Sequence, residues 1–265
     1  MFVPRRISAW AERTVPRPVL HRLKALYTVY HHRTVCRLNA RWLQQLIDAH
    51  PATVQTGPFK GMRYGDAGLG SESVAKWLGA YEMELHEIVE RCCTTPYVTV
   101  INIGCAEGYY TVGLARRLPE AKLYAFDLNP TAAAQCRRLT TLNDVAPRVT
   151  VAGRCDLPRL QQLILGRTLI VCDCEGAELE LLDPAQAPRL AGADLLVELH
   201  DFLDPTISPT LVNRLAPSHT LSRLRSQPRD PARFPRLSRL RPKDQALALD
   251  EFRPGPMEWL WAQAK

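Results

Sequence analysis

The chain has 265 residues, 46% of them apolar, which is enough to bury the core of one large domain or of a domain with a small companion. No apolar run approaches the roughly 18 residues that cross a bilayer. Pro4, Arg5 and Arg6 stand where a signal peptide would place its apolar stretch, so we expect a cytoplasmic protein. None of the eight cysteines has the CxxC spacing of a zinc site, which favours free thiols.

The net charge of +7 lies in two flanks of the chain. Residues 1–50 hold nine Lys or Arg and two acids, a difference of 9 − 2 = +7, so the remainder is neutral overall. A second basic stretch, residues 214–243, has nine basic residues and only Asp230 as an acid. Basic flanks around an acidic centre suggest contact with an anionic acceptor or surface; the alternative is solvated helix faces and a basic loop.

The first 95 residues have helical and hairpin patterns. Apolar residues over 19–49 recur at three- and four-residue spacing, which predicts an amphipathic helix. Residues 53–64 alternate loosely around Gly57 and Gly61, which indicates a short hairpin. A further helix is predicted from Ser71 to Cys93. We therefore assign residues 1–95 to a helical and hairpin extension that selects the acceptor.

From residue 96 the pattern changes to short apolar runs separated by helices. Strands are predicted at 98–103, 123–126, 149–151, 169–172 and 195–199, and helices at 109–118, 131–142, 157–165 and 177–190, the last broken near Pro184. Such alternation predicts an α/β fold with a doubly wound, mostly parallel, Rossmann-like sheet. Residues 205–243, rich in proline and arginine, are predicted as a basic insert of loop with short helical or edge-strand pieces. Residues 259–261 are predicted to form the last, edge strand.

A glycine turn, Gly104-Cys-Ala-Glu-Gly108, joins the first of these strands to a helix. An open parallel sheet binds nucleoside ligands at this place. A dinucleotide would require GxGxxG with a glycine at 106, where this chain has Ala106. S-adenosylmethionine has no pyrophosphate, and its charged methionyl end could be held by Asn102, the backbone at 104–106 and the helix N-terminus. The turn therefore favours S-adenosylmethionine.

Acidic residues follow the next two strands. Asp127 lies nineteen positions beyond Gly108, where a carboxylate can accept both ribose hydroxyls. Cys155 and Asp156 follow the third strand, where enzymes that use S-adenosylmethionine bind the adenine edge. Joined to the glycine turn, these positions predict a complete cofactor site.

Four stretches resemble the FkbM-type methyltransferases, namely Val100–Tyr110, Tyr124–Pro130, Cys172–Glu178 and Val197–His200. Asn102 stands where the family usually has Asp, and Asp127 where it usually has Glu. The resemblance implies S-adenosylmethionine-dependent methylation of hydroxyls on polyketides, sugars and related small-molecule or glycan acceptors. It also places Glu82 above the cofactor. The resulting cofactor-binding set is Glu82, Asn102, Gly104, Cys105, Ala106, Gly108, Tyr109, Asp127, Leu128, Cys155, Asp156 and Asp173.

The ends of the fourth and fifth strands supply candidate catalytic residues, which are Asp173, Glu175, Glu198 and His200. Methyl transfer from sulfur is an in-line displacement that requires an aligned nucleophile and loss of its proton. His200 has a side chain suited to general-base work, and carboxylates could orient it. The alternative is that Asp173 and Glu175 cap a helix and His200 closes a strand. A divalent cation on Asp173, Glu198 and Asp201 is another option.

Two further functions are open at this point. A nucleic-acid methyltransferase would use the basic flanks as a grip, but they lack interleaved aromatic residues and no DPPY-like tetrapeptide follows the fourth strand. A non-catalytic module that binds S-adenosylmethionine would explain Asn102 as a lost acid. The small-molecule or glycan O-methyltransferase is preferred because the other cofactor positions are intact.

Overall fold

The computed structural model describes residues 34–48, 52–64, 73–251, 253 and 255–265. Its centre is a seven-stranded sheet in the order β3-β2-β1-β4-β5-β7-β6. The strands are β1 Thr99–Ile103, β2 Lys122–Phe126, β3 Val149–Ala152, β4 Thr168–Cys172, β5 Ala193–Leu199, β6 His219–Arg225 and β7 Glu258–Ala264. Strands β1 to β5 are parallel, and β7 runs antiparallel to both of its neighbours. The predicted α/β class and mostly parallel sheet are confirmed.

Helices cover both faces of this sheet. They are α1 at residues 34–46, α2 Ser73–Leu78, α3 His86–Thr94, α4 Tyr109–Arg117, α5 Pro130–Leu142, α6 Leu157–Leu163, α7 Glu178–Leu181, α8 Ile207–Leu215 and α9 Pro242–Ala248. Alternate residues of a strand point to opposite faces of the sheet, and each face has its own hydrophobic core. Val100 packs into the core on one face and Ile101 into the core on the other. Strands buried on both faces give the continuous apolar runs seen in the sequence.

The predicted helix from Ser71 to Cys93 is wrong in its middle. Two helices, α2 and α3, are separated by a turn and a short 3₁₀ segment, Met83–Leu85. Gly79 has a φ of +74°, and a Cβ there would lie 2.0 Å from the carbonyl oxygen of Thr56. Glu82 also has a positive φ, of 46°. Two left-handed residues interrupt the helix although the apolar spacing continues across them.

In the range 177–190 the predicted break near Pro184 is confirmed, but the α-helix is limited to Glu178–Leu181 and a 3₁₀ segment, Pro188–Gly192, follows the break. The side chain of Asp183 accepts hydrogen bonds from the Ala185 N–H and from Gln186, each at 3.0 Å. These bonds close a turn around Pro184, which has no N–H of its own to continue a helix.

The prediction that residues 259–261 form an edge strand is corrected by the sheet order. They lie in β7, which is hydrogen-bonded to β5 on one side and β6 on the other. The edge strand on this side of the sheet is β6, which lies in the basic insert and is largely exposed with Arg223 and Arg225 along it. Charged side chains are typical of an edge, whereas the apolar Trp259-Leu-Trp261 suits an interior position.

The extension packs on the sheet and shares its core. The predicted hairpin is present, since Val54 N–H donates to Met62 and Tyr64 N–H donates to Ala52. Buried Trp42, Leu46 and Trp77 belong to the same core as Val100 and Leu123 of the sheet. The predicted helix over 19–49 is helical at 34–46, and its positions 19–33 and 49 lie outside the described residues. No helix among the described residues is both long and apolar enough to cross a membrane.

Candidate functional site

A pocket opens at the carboxyl edge of β1, β4 and β5. Asn102, Val171 and Leu196 are paired across these three strands and line its floor. Further along the strands, Asp173 and Glu198 line the same pocket. In an open parallel sheet, ligands bind at this edge.

The glycine turn forms one side of the pocket and is tightly packed. Gly104 has a φ of +79°, and a Cβ there would lie 1.5 Å from the carbonyl oxygen of Asp173. Only glycine allows the turn to approach the loop after β4 so closely. Asp127 accepts hydrogen bonds from the N–H groups of Ala106 and Asn129, each at 2.8 Å. Asp127 therefore fixes the turn, in which Ala106 has a φ of 46°.

The structure brings seven of the predicted cofactor residues to the pocket wall: Glu82, Asn102, Gly104, Cys105, Ala106, Tyr109 and Asp173. The other five lie beside it. Gly108 packs against Cys136 under the turn, and Cys155 is buried. Asp156 accepts from the Arg159 N–H and caps α6, while the side chain of Leu128 is 79% exposed.

An ion pair between Lys76 and Glu107 forms part of the same side of the pocket. The Lys76 ammonium lies 2.6 Å from the Glu107 carboxylate, and the Tyr64 hydroxyl donates to that carboxylate at 2.8 Å. Burial alone would raise the pKa of Glu107, but the Lys76 charge outweighs it and the pKa is lowered. We call these two residues the Lys–Glu pair.

Glu82 and Glu198 of the pocket lining belong to an acid network that also contains Glu84, Glu251, Arg229 and Arg253. Arg253 pairs with Glu82, with Glu198 at 2.5 Å and with Glu251 at 2.8 Å. Arg229 pairs with Glu84 at 2.7 Å and Glu251 at 2.6 Å. Tyr110 donates its hydroxyl proton to Glu82 at 2.5 Å. Four carboxylates and two guanidiniums would carry a charge of 2 − 4 = −2 if all were ionised.

This excess of acid changes the protonation of the network. Burial raises the pKa of Glu198 to about 9, and the neighbouring Asp173 and Glu82 charges raise it further than Arg253 lowers it. Burial also raises the pKa of Glu82 to about 7, against the opposing charge of Arg253. At neutral pH Glu198 therefore holds a proton and can donate a hydrogen bond.

His200 lies behind Asp173 and does not line the pocket. Its Nδ1 is 2.7 Å from buried Glu178, and its Nε2 is 3.4 Å from Asp173 and 3.7 Å from Glu175. Burial would lower the pKa of His200, but hydrogen bonds to Asp173 and Glu178 and their charges raise it to about 10. These contacts favour the protonated form of the ring at neutral pH, which has no lone pair to accept a proton.

The predicted cation ligands are not brought together as a set. Asp201 points away and accepts from the Ser208 N–H at 2.9 Å and from the Ser208 hydroxyl. Among the described residues, the ligand atoms of Asp173, Glu175 and His200 lie within 4.8 Å of one another. Because His200 is an imidazolium flanked by two carboxylates, ion pairing accounts for this closeness.

Sequence reasoning missed several residues of the pocket wall. Lys76 was treated only as part of a helix, although it is the one charged residue in the apolar stretch from Val74 to Tyr81. A single charged residue in an apolar stretch is a sequence signal from which Lys76 could have been identified. Trp259 was assigned a strand role only. Arg253, which pairs with the lining residues Glu82 and Glu198, lies 55 positions beyond Glu198 in sequence, and no local motif points to it.

No protein-family model matches this sequence, and no curated protein matches it either. Solved structures of methyltransferases are similar to the chain. The O-methyltransferase TomG from Streptomyces achromogenes, involved in tomaymycin synthesis and in complex with SAM, is 14% identical with a TM-score of 0.47, over 73% of this chain and 87% of that one. Precorrin-6y C5,15-methyltransferase from Geobacter metallireducens is 14% identical with a TM-score of 0.44, over 67% and 89%.

Proposed function

We propose that this chain is an S-adenosylmethionine-dependent methyltransferase that acts on a hydroxyl of a small-molecule natural product, sugar or glycan. The observation that carries the proposal is the pocket itself. The glycine turn, Asn102, Asp173 and Glu198 come from separate segments and meet at one edge of the sheet. The FkbM-type resemblance supports the same activity and remains part of the proposal.

The residues present suit S-adenosylmethionine better than a dinucleotide. Ala106 gives the turn a side chain where a pyrophosphate would need close backbone approach. Asn102, whose amide donates to Thr111 at 2.9 Å, and Tyr109 line the wall beside the turn. Asp127 stands at the end of β2, where it would meet the ribose. When bound, the cofactor supplies an electrophilic methyl group on a sulfonium.

Asp173 is the carboxylate best placed to act on an acceptor. It lines the pocket, is 40% exposed in its side chain and contacts His200. We infer that Asp173 accepts the proton of the acceptor hydroxyl. Glu198, which is protonated, donates a hydrogen bond that orients the acceptor oxygen. His200, held by Glu178, positions Asp173, and the exposed Glu175 lies at the rim beside them.

Cofactor binding is the first test of this function. Titration calorimetry with S-adenosylmethionine and with its demethylated product, S-adenosylhomocysteine, should show saturable binding at one site. Each ligand should also raise the melting temperature, because a ligand that binds only the folded state stabilises it. Absence of heat and of stabilisation with both ligands would refute the proposed function.

Turnover separates a methyltransferase from a binding module. With labelled S-adenosylmethionine and a panel of hydroxyl acceptors, the wild-type protein should transfer the label. Asp173→Asn should reduce turnover by roughly 10²- to 10⁴-fold with binding of S-adenosylhomocysteine retained, because it removes the proton acceptor. Binding without transfer to any acceptor would favour the non-catalytic alternative, and full turnover in Asp173→Asn would remove Asp173 from the mechanism.

A further inference from the structure

The Lys–Glu pair joins the extension to the glycine turn inside the pocket. Lys76 comes from α2, and Glu107 is the fourth residue of the turn. Both side chains are more than nine-tenths buried, with exposures of 7% and 8%, and both line the pocket. The ammonium of Lys76 lies 4.7 Å from the ring centre of Tyr81 and 5.9 Å from that of Tyr109.

Burying two opposite charges brings little stability on its own. The desolvation of both groups offsets most of their attraction, and apolar residues of similar volume often serve as well. Tyr64 and the two tyrosine rings hold the charged groups in fixed places on the pocket wall. Such an arrangement presents a positive and a negative group side by side to whatever enters the pocket.

We propose that the Lys–Glu pair binds the zwitterionic amino-acid end of the cofactor. The Lys76 ammonium faces the α-carboxylate, and the Glu107 carboxylate faces the α-ammonium, so that each charge has opposite charges as neighbours. This inference rests on the proposed function. The rival explanation is that the pair only fastens the extension to the turn.

A ligand that lacks the amino-acid end distinguishes these explanations. Methylthioadenosine keeps the adenosine and the sulfur of the cofactor but has no carboxylate and no ammonium. In calorimetry, Lys76→Met should weaken S-adenosylhomocysteine at least about tenfold, because charged hydrogen bonds are the strong ones. Its affinity for methylthioadenosine should stay within about twofold of wild type. Lys122→Met, which changes an exposed lysine on β2, is the matched control and should change neither affinity.

A charge reversal provides the second measurement. The double variant Lys76→Glu with Glu107→Lys keeps an ion pair of the same two groups but inverts its direction toward the ligand. If the pair only holds the extension against the glycine turn, the double variant should recover the affinity for S-adenosylhomocysteine that Lys76→Met loses. If the pair binds the zwitterion, affinity should stay low although circular dichroism shows a folded protein.

The outcomes separate this inference from the proposed function. Equal losses for both ligands in Lys76→Met, no loss for S-adenosylhomocysteine, or recovery in the double variant would each overturn the role of the Lys–Glu pair while cofactor binding by the wild type stands. A wild-type protein that binds neither ligand would overturn the proposed function and this inference with it.

Discussion

The Lys–Glu pair and the acid network both contribute residues to one pocket, and they bury charge in different ways. The Lys–Glu pair is balanced, with one cation and one anion, and its carboxyl has a lowered pKa. In the acid network, four carboxyls share two guanidiniums, and the pKa values of Glu82 and Glu198 are raised. A balanced pair keeps its charges, whereas a surplus of buried acid is neutralised by retained protons.

The Lys–Glu pair and the acids with raised pKa values should therefore respond to pH in opposite directions. The folded-state pKa of Glu107 is depressed, so its contribution to stability is present above its unfolded value and lost as pH falls through the folded value. Glu82, Glu198 and His200 have raised values, of about 7, 9 and 10. Their contributions are complete below the unfolded values, near 4.5 for the acids and 6.5 for His200, and are lost as pH rises through the folded values.

The largest effect is expected from removing the shared cation of the acid network. Arg253→Met should lower the free energy of unfolding at pH 8 by about 3–5 kcal/mol, because it leaves buried carboxylates without a partner. The loss should be smaller at pH 5, where the carboxyls take up protons. Urea denaturation at both pH values measures it. Arg225→Met, at a 67% exposed side chain on the edge strand, is the control and should cost less than about 1 kcal/mol. Equal losses at pH 5 and pH 8 would contradict the charge explanation.

A smaller loss of stability, with the opposite pH dependence, is expected when the Lys–Glu pair is broken. Glu107→Gln should lower the free energy of unfolding at pH 7 by about 2–3 kcal/mol, because the Lys76 ammonium loses its charged acceptor. The difference should shrink as the pH is lowered from 7 to 4 and below, toward the lowered pKa of Glu107. Glu120→Gln changes an exposed acid and should have no measurable effect at either pH. If the loss in free energy of unfolding caused by Glu107→Gln instead grows as the pH falls toward 4, the Lys–Glu ion pair is not the cause of that loss.

The smallest effect should be a gain in stability. Glu198→Gln replaces a carboxyl that already holds its proton in the folded state with a neutral group of the same shape. The variant should gain stability relative to wild type as the pH rises from 5 to 8, since the wild type then has to bind a proton on folding. Paired urea titrations at the two pH values test this. Destabilisation that is greatest at pH 8 would mean that Glu198 is ionised.

The sequence was sufficient for the part of the fold that repeats. Strands buried on both faces and their intervening helices leave apolar runs and caps that local reading detects, as at β1 and α4. The breaks at Gly79 and Glu82 were missed because positive φ values depend on contacts with a distant segment, at Thr56 for Gly79. The edge strand was misplaced because pairing order is set by tertiary packing, to which strand composition is only a guide.

The residues of the candidate site also fall into those that the sequence reveals and those that it does not. The glycine turn, Asn102 and Asp173 lie in or beside strands and could be identified from spacing. Arg253, which comes from far along the chain, could not, although it pairs with three acids of the network. His200 was identified as important, but its protonation depends on Glu178, Asp173 and Glu175 surrounding it in space. A residue type alone does not give a pKa.

Crystallisation of the full chain with S-adenosylhomocysteine tests the central claim most directly. Electron density for the ligand should lie in the pocket lined by Asn102, the glycine turn and Asp173, with its amino-acid end at the Lys–Glu pair. Density for the ligand at any other place on the molecule, or an unliganded pocket in crystals grown at saturating ligand, would contradict the assignment of this pocket as the cofactor site.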